Sequence, residues 1–158
     1  IIFLETSSTK IDDKQFGIKQ KNKDWGMDNW SSLVTSIKDE YLLIHSFHDK
    51  TIKMPGIYYT QQINFRSACS ILKFCDLYLG PEGGFGHAAA ALNKKAVIYF
   101  GGWITPKAIG YDFHENIYFE HNQSPCGEYK NLCPHCELAR KEISVDLFLN
   151  SINKILNK

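Results

Sequence analysis

Residues 79 to 92 read Leu79-Gly80-Pro81-Glu82-Gly83-Gly84-Phe85-Gly86-His87-Ala88-Ala89-Ala90-Ala91-Leu92. Upstream, Asp76-Leu77-Tyr78-Leu79-Gly80 is a short apolar run, as a buried strand requires. A turn with three glycines follows, and an Ala-rich helix is expected from near His87. Downstream, Lys95-Ala96-Val97-Ile98-Tyr99-Phe100-Gly101 is a second apolar run. Strand, glycine turn, helix and strand make a β-α-β unit whose turn offers free N–H groups at the positive end of a helix, a place for an anion. Glycine lets the backbone approach a ligand without a Cβ in the way. The reading is a phosphate or pyrophosphate pocket in a nucleotide-binding sheet. A plain crossover with glycines for tight packing is the structural alternative. The spacing is neither G-x-G-x-x-G nor G-x-x-x-x-G-K-[ST], so the common dinucleotide and P-loop fingerprints are absent.

Working outward, residues 1–5 predict a first strand, and residues 7–24 a long polar, Lys-rich loop. Asp28 or Asn29 is expected to cap a helix through about Lys38, with Trp30, Leu33, Val34 and Ile37 on one face. Tyr41-Leu42-Leu43-Ile44-His45 and Ile57-Tyr58-Tyr59-Thr60 predict two strands. Asn64 predicts the cap of a helix through Phe74, with Phe65, Ala68, Cys69 and Leu72 buried. A loop with Trp103 and Pro106, a strand over 116–120 and a Cys-rich loop over 121–137 come next. Ser144 predicts the cap of a last helix with Val145, Leu147, Phe148, Ile152, Ile155 and Leu156 on its apolar face. Apolar strands alternating with helices indicate an α/β, Rossmann-like three-layer domain with a parallel sheet, ligands binding at the carboxyl ends of its strands.

The chain has 158 residues and a formal net charge of +1, a size that suits one domain over 1–158 and a charge that favours neither nucleic acid nor electrostatic membrane attachment. No apolar stretch approaches the roughly 20 residues of a spanning helix, and no basic-then-apolar leader opens the sequence. The start at Ile1, without methionine and directly in a strand, suggests a fragment of a longer two-domain protein. Of five cysteines, Cys69 and Cys75 sit in apolar patterns and read as reduced core residues. Cys126, Cys133 and Cys136 form C-x6-C-x2-C beside Pro125, Gly127 and Pro134. A C-x2-C knuckle suits a tetrahedral structural zinc or iron, with His121 or His114 as fourth ligand and His135 awkwardly placed between two of the cysteines. A disulfide within the trio, or free thiols, are the alternatives. On any of the three readings the trio holds a loop and takes no part in the chemistry.

The stretch from Glu82 to Leu92 followed by the strand ending Phe100-Gly101 resembles the C-terminal donor-binding domain of glycosyltransferase family 9, the lipopolysaccharide heptosyltransferase-like enzymes, with their D-S-G-P-x-H-x-A-x-A motif. Lys23-Asp24-Trp25 resembles the family's K-x-W segment, and residues 65–79 its helix-then-strand approach to the motif. Glu82 stands for the motif's Asp, Gly83 for its Ser and Phe85 for its Pro, so the loop keeps a carboxylate and loses a hydroxyl. The resemblance implies the C-terminal half of a GT-B fold and transfer of a heptose or related hexose from a nucleotide diphosphate to a glycan acceptor without a catalytic metal. It also implies an N-terminal acceptor domain carrying the catalytic carboxylate, and some relatives are similar in carrying Cys clusters near this loop. A cytoplasmic place of work, at the inner face of the membrane, goes with that function.

On this reading the amides of Gly84, Phe85, Gly86 and His87 hold the pyrophosphate, and the His87 side chain donates to a phosphate oxygen and assists the leaving group. Glu82, beside Gly83, accepts from sugar or ribose hydroxyls. Lys23 neutralises phosphate charge, or is a solvated surface lysine. Thr6 and Ser7 are weaker candidates, and Trp103 and Thr105 line the base or sugar pocket or merely pack. The rival functions are a sugar-nucleotide epimerase of the same architecture and a non-catalytic, metal-stapled interaction module.

Overall fold

The computed structural model of the chain describes residues 1–6, 21–47, 51–128 and 133–157. Ser7 and most of the loop expected over 7–24 lie outside those residues. Six strands, β1 (Ile2–Leu4), β2 (Leu43–Phe47), β3 (Ile57–Gln62), β4 (Leu77–Pro81), β5 (Lys95–Gly101) and β6 (Glu115–Tyr118), form one sheet. Their order is β3-β2-β1-β4-β5-β6 and every pairing is parallel. That is the doubly wound order, with the chain reversing direction across the sheet between β1 and β4.

Successive side chains of a strand point to opposite faces, so a sheet covered on both sides needs apolar residues throughout. Ile2, Leu4, Leu77, Leu79, Val97 and Tyr99 enter one core, while Phe3, Tyr78, Ala96, Ile98 and Phe100 enter the other. The first core is roofed by α1 (Met27–Ile37) and α6 (Val145–Leu156). There Trp25 stacks on Phe148 at 4.1 Å, meets Trp30 edge-on at 4.9 Å and donates its indole N–H to the Ile143 carbonyl at 2.9 Å. The second is covered by α2 (Phe65–Phe74) and α3 (Gly84–Ala91), with α4 (Pro106–Ile109) at its edge. A last helix, α5 (Pro134–Glu142), lies against Gly102, where a Cβ would come within 2.7 Å of the His135 ring.

Several expectations need correcting. Helix α1 begins at Met27 with Gly26 as its N-cap, ahead of Asp28 and Asn29. The Asp24 carboxylate accepts from the Gly26 N–H and shapes that entry instead. Phe65, expected inside, is 54% exposed because it occupies the first position of α2 at the rim of the sheet, and Leu147 is 43% exposed. Helix α3 starts at Gly84, three residues ahead of His87. Helices α4 and α5 fall where loops were expected: each has a proline in its first turn, a residue tolerated there because its missing N–H would have no helical partner. The caps at Asn64 and Ser144 stand, accepting from Ser67 N–H and Leu147 N–H. Replacing Ser144 by Ala should lower stability by about 1 kcal/mol, measured as a shift of the urea midpoint at unchanged slope.

Candidate functional site

The β4–α3 turn sits at the carboxyl edge of the sheet, beside the β1/β4 reversal. The Glu82 N–H donates to the Tyr99 carbonyl at 2.9 Å, which ties the turn to β5. Gly83, the N-cap of α3, has φ +149°, a conformation that L side chains rarely adopt, and a Cβ there would point into open space. No side chain caps this helix. The His87 N–H is the first to close a helical bond, to the Gly83 carbonyl at 3.2 Å. That corrects the expected set of anion-binding amides: Gly84, Phe85 and Gly86 retain N–H groups with no acceptor in the helix, and His87 does not.

The His87 side chain is exposed at the mouth of a pocket, its Nδ1 3.0 Å from the Tyr111 hydroxyl. With Tyr111 donating to Nδ1, Nε2 carries the proton and is the ring's outward donor. Glu82 is buried, and its carboxylate meets Lys23 Nζ at 2.5 Å. Lys23 itself is mostly buried, its ammonium 5.1 Å from the centre of the Trp103 ring. The lysine is therefore not a solvated surface residue, and its charge is shared with Glu82. Trp103 packs beneath Lys23, and Thr105 caps α4 by accepting from the Lys107 N–H at 3.3 Å. Thr6 is buried at the end of β1, next to Glu5, whose carboxylate accepts from the Ser46 hydroxyl.

Behind His87, between α3, α4 and the inner edge of β6, lies a small pocket with room for about one water. Ile98, Phe100 and Ile109 make its walls, Glu82, Gly83 and Tyr111 its mouth, and His114 and Asn116 its floor. His114 had been a candidate metal ligand. Its Nε2 instead lies 3.2 Å from the Lys94 carbonyl, and burial holds its pKa below the ordinary histidine value. Tyr111 and Asn116 were missed because a Tyr and an Asn at a strand entry carry no spacing signal.

The three cysteines of the C-terminal motif converge. Cys126 Sγ lies 3.2 Å from Cys136 Sγ and 3.6 Å from Cys133 Sγ. All three are free thiols, with no disulfide among them. Cys133 is the N-cap of α5, its sulfur accepting from the Cys136 N–H at 3.4 Å. Burial raises the Cys126 and Cys136 thiols; at Cys133 burial also pulls upward, but the Cys136 amide and the neighbouring thiols outweigh it and lower the value. His121 does not join the group among the described residues: it stacks on Phe119 at 5.5 Å and its Nδ1 accepts from the Gln123 N–H. His135 likewise turns away, its Nε2 2.8 Å from the Ser124 hydroxyl.

The trio is wired to the Glu82 site. Asn22 donates to the Glu128 carbonyl at 2.6 Å and accepts from the Cys133 N–H at 3.3 Å, so it bridges the two ends of the cysteine loop one residue before Lys23. On the other side the Cys126 and Gly127 N–H groups donate to the Gly102 and Trp103 carbonyls. Arg140 of α5 donates to the Asp24 carbonyl at 2.8 Å. Lys23 and Trp103 are both held by backbone anchored to this loop.

No protein-family model and no curated protein matches the sequence. Among solved structures, the E. coli heptosyltransferase WaaC with ADP superposes with a TM-score of 0.67 at 13% identity, over 98% of this chain and 43% of WaaC. The iron-containing dodecameric glycosyltransferase TibC from enterotoxigenic E. coli superposes with a TM-score of 0.72 at 16% identity, over 99% and 46%. E. coli ADP-heptose lps heptosyltransferase II gives 0.66 at 16%, over 98% and 45%. The chain thus spans less than half the length of these structures. Its fold, an α/β Rossmann-like unit, is that of the matched part of these GT-B structures.

Proposed function

We propose that the chain is the donor-binding half of a glycosyltransferase and takes a nucleotide-diphosphate sugar, a heptose or related hexose, for transfer to a glycan acceptor. The observation that carries this reading is the uncapped start of α3, where Gly83 keeps the approach open and three consecutive amides face outward, in a fold shared with heptosyltransferases. One of those structures is TibC in complex with ADP-D-beta-D-heptose. In the reaction the acceptor hydroxyl attacks the anomeric carbon, the bond from that carbon to the diphosphate oxygen breaks, and the nucleoside diphosphate leaves. The α3 amides and dipole stabilise the charge that grows on the departing phosphate, and the His87 Nε2–H donates to it. Glu82, fixed by Lys23, receives sugar hydroxyls at the mouth of the pocket. The acceptor and the carboxylate that deprotonates it belong to a partner domain. No helix among the described residues is long and apolar enough to cross a membrane; work in the cytoplasm, at the membrane's inner face, is part of the proposal.

Calorimetric titration of the protein with ADP, GDP and UDP tests the reading. Saturable binding of one nucleotide, weakened about tenfold in His87→Ala, is the expected result. A folded protein that binds none of them would sink it.

The three thiols suit a structural zinc or iron. Sulfurs 2.3 Å from a tetrahedral metal lie about 3.8 Å apart, close to the separations seen here, and soft thiolates favour those ions. Such an ion would fasten the loop that anchors Lys23 and Trp103. Elemental analysis should find about one zinc or iron per chain, and Cys133→Ser or Cys136→Ser should lose it. Metal retained in both variants would place it elsewhere.

A further inference from the structure

The thiols of Cys126 and Cys133 face each other across a gap that one covalent bond can close. Their sulfurs lie 3.6 Å apart, and reaching the roughly 2.05 Å of an S–S bond takes a movement of about 1.5 Å. Each backbone is held independently of the loop between them. The Cys126 N–H donates to the Gly102 carbonyl at 3.0 Å and the Gly127 N–H to the Trp103 carbonyl at 3.1 Å, which fastens one end just beyond β5. Cys133 caps α5, and its N–H donates to Asn22 Oδ1 at 3.3 Å. The entropy of closing the loop is therefore met by the fold before any bond forms. Both cysteines are half-buried and open in part to solvent, whereas Cys136 is buried in the first turn of α5.

We infer that this pair is a site of oxidative modification by a low-molecular-weight disulfide such as glutathione disulfide, which leaves a Cys126–Cys133 bond in the metal-free protein. The inference goes beyond the donor reading and does not depend on it. The Cys133 sulfur, at the start of α5, accepts from the Cys136 N–H at 3.4 Å and is the one poised to react as thiolate. It attacks one sulfur of the reagent, a mixed disulfide forms, and the first small thiolate leaves. The Cys126 thiolate then attacks the Cys133 sulfur, and the second small thiolate leaves. Two protein thiols are oxidised, the S–S bond of the reagent is reduced, and the two thiol protons pass through solvent to the two small thiols. Cys136 stays a thiol. An ion and this bond exclude each other, because a tetrahedral ion needs the thiolates that the bond consumes.

Oxidation of the metal-free protein with excess glutathione disulfide, followed by alkylation and non-reducing peptide mapping, decides it. Two of the five thiols should be lost per chain, with Cys126 joined to Cys133 and with Cys69, Cys75 and Cys136 alkylated. Cys136→Ser should form the same bond, and Cys126→Ser should stop with glutathione held on Cys133. Five thiols retained in the wild-type protein would overturn the inference, as would a map that joins any other pair, or an internal bond in Cys126→Ser. Metal analysis of the same proteins keeps the two roles of the trio apart. Cys136→Ser loses the ion proposed above and keeps the disulfide, so either reading can fail while the other stands.

Discussion

Replacing Lys23 by Met should destabilise the protein by about 3–5 kcal/mol, the cost of leaving a buried carboxylate without its counter-ion. The two groups are in contact at 2.5 Å, with Glu82 5% and Lys23 17% exposed at the side chain, so water cannot take over the lost partner cheaply. The reverse change, Glu82→Gln, should cost less, because the lysine chain is the more exposed of the two and its ammonium also rests against Trp103. Neutralising both, Lys23→Met with Glu82→Gln, should recover most of the loss, since an apolar or neutral replacement of a buried pair is often close to neutral for stability. Urea unfolding of the four proteins gives the cycle directly. A loss below about 1 kcal/mol for Lys23→Met would mean that the pair behaves as a surface salt bridge, and that the site lacks the dry, prearranged carboxylate described here.

Gly83→Val should abolish nucleotide binding, weakening it by about 100-fold or more while the protein stays folded. Two effects act together. Gly83 holds φ +149°, which a β-branched residue adopts only with strain on the order of 1–3 kcal/mol. Its Cβ would also project into open space at the start of α3, with no atom of the described residues beyond its chain neighbours within 4 Å, where it would meet a ligand approaching the helix. Gly84→Ala is the control. Its added Cβ would lie 3.4 Å from the Phe65 ring and away from that opening, so affinity should change less than about threefold. If Val at position 83 bound nucleotide normally, the diphosphate would have to sit elsewhere on the sheet edge, whatever the fold resembles.

The anchoring of Lys23 and Trp103 by the cysteine loop links these expectations to the metal. If the trio holds the proposed ion, its loss in Cys136→Ser should loosen the Asn22 bridge and the Gly127–Trp103 bond, and so weaken nucleotide binding through the placing of Lys23 and Trp103.

The β-α-β unit around Gly83 was legible in the sequence because its strands are buried on both faces and therefore apolar without a break, and because only glycine tolerates the turn between strand and helix. Asn64 and Ser144 were legible as caps for an equally local reason: each side chain bonds an amide three residues on. Helix α5 was hidden because Pro134 and two flanking cysteines read as a turn, while Phe65 was misplaced because helical periodicity says which face a residue shares and not that the helix begins at the rim. Only the tertiary structure decided the strand order, the burial of Lys23 against Glu82, and the parting of His121 from the thiols. Each depends on residues far apart in the chain meeting across a sheet edge. Sequence spacing carries no information about such meetings; packing the two helical layers onto the sheet creates them.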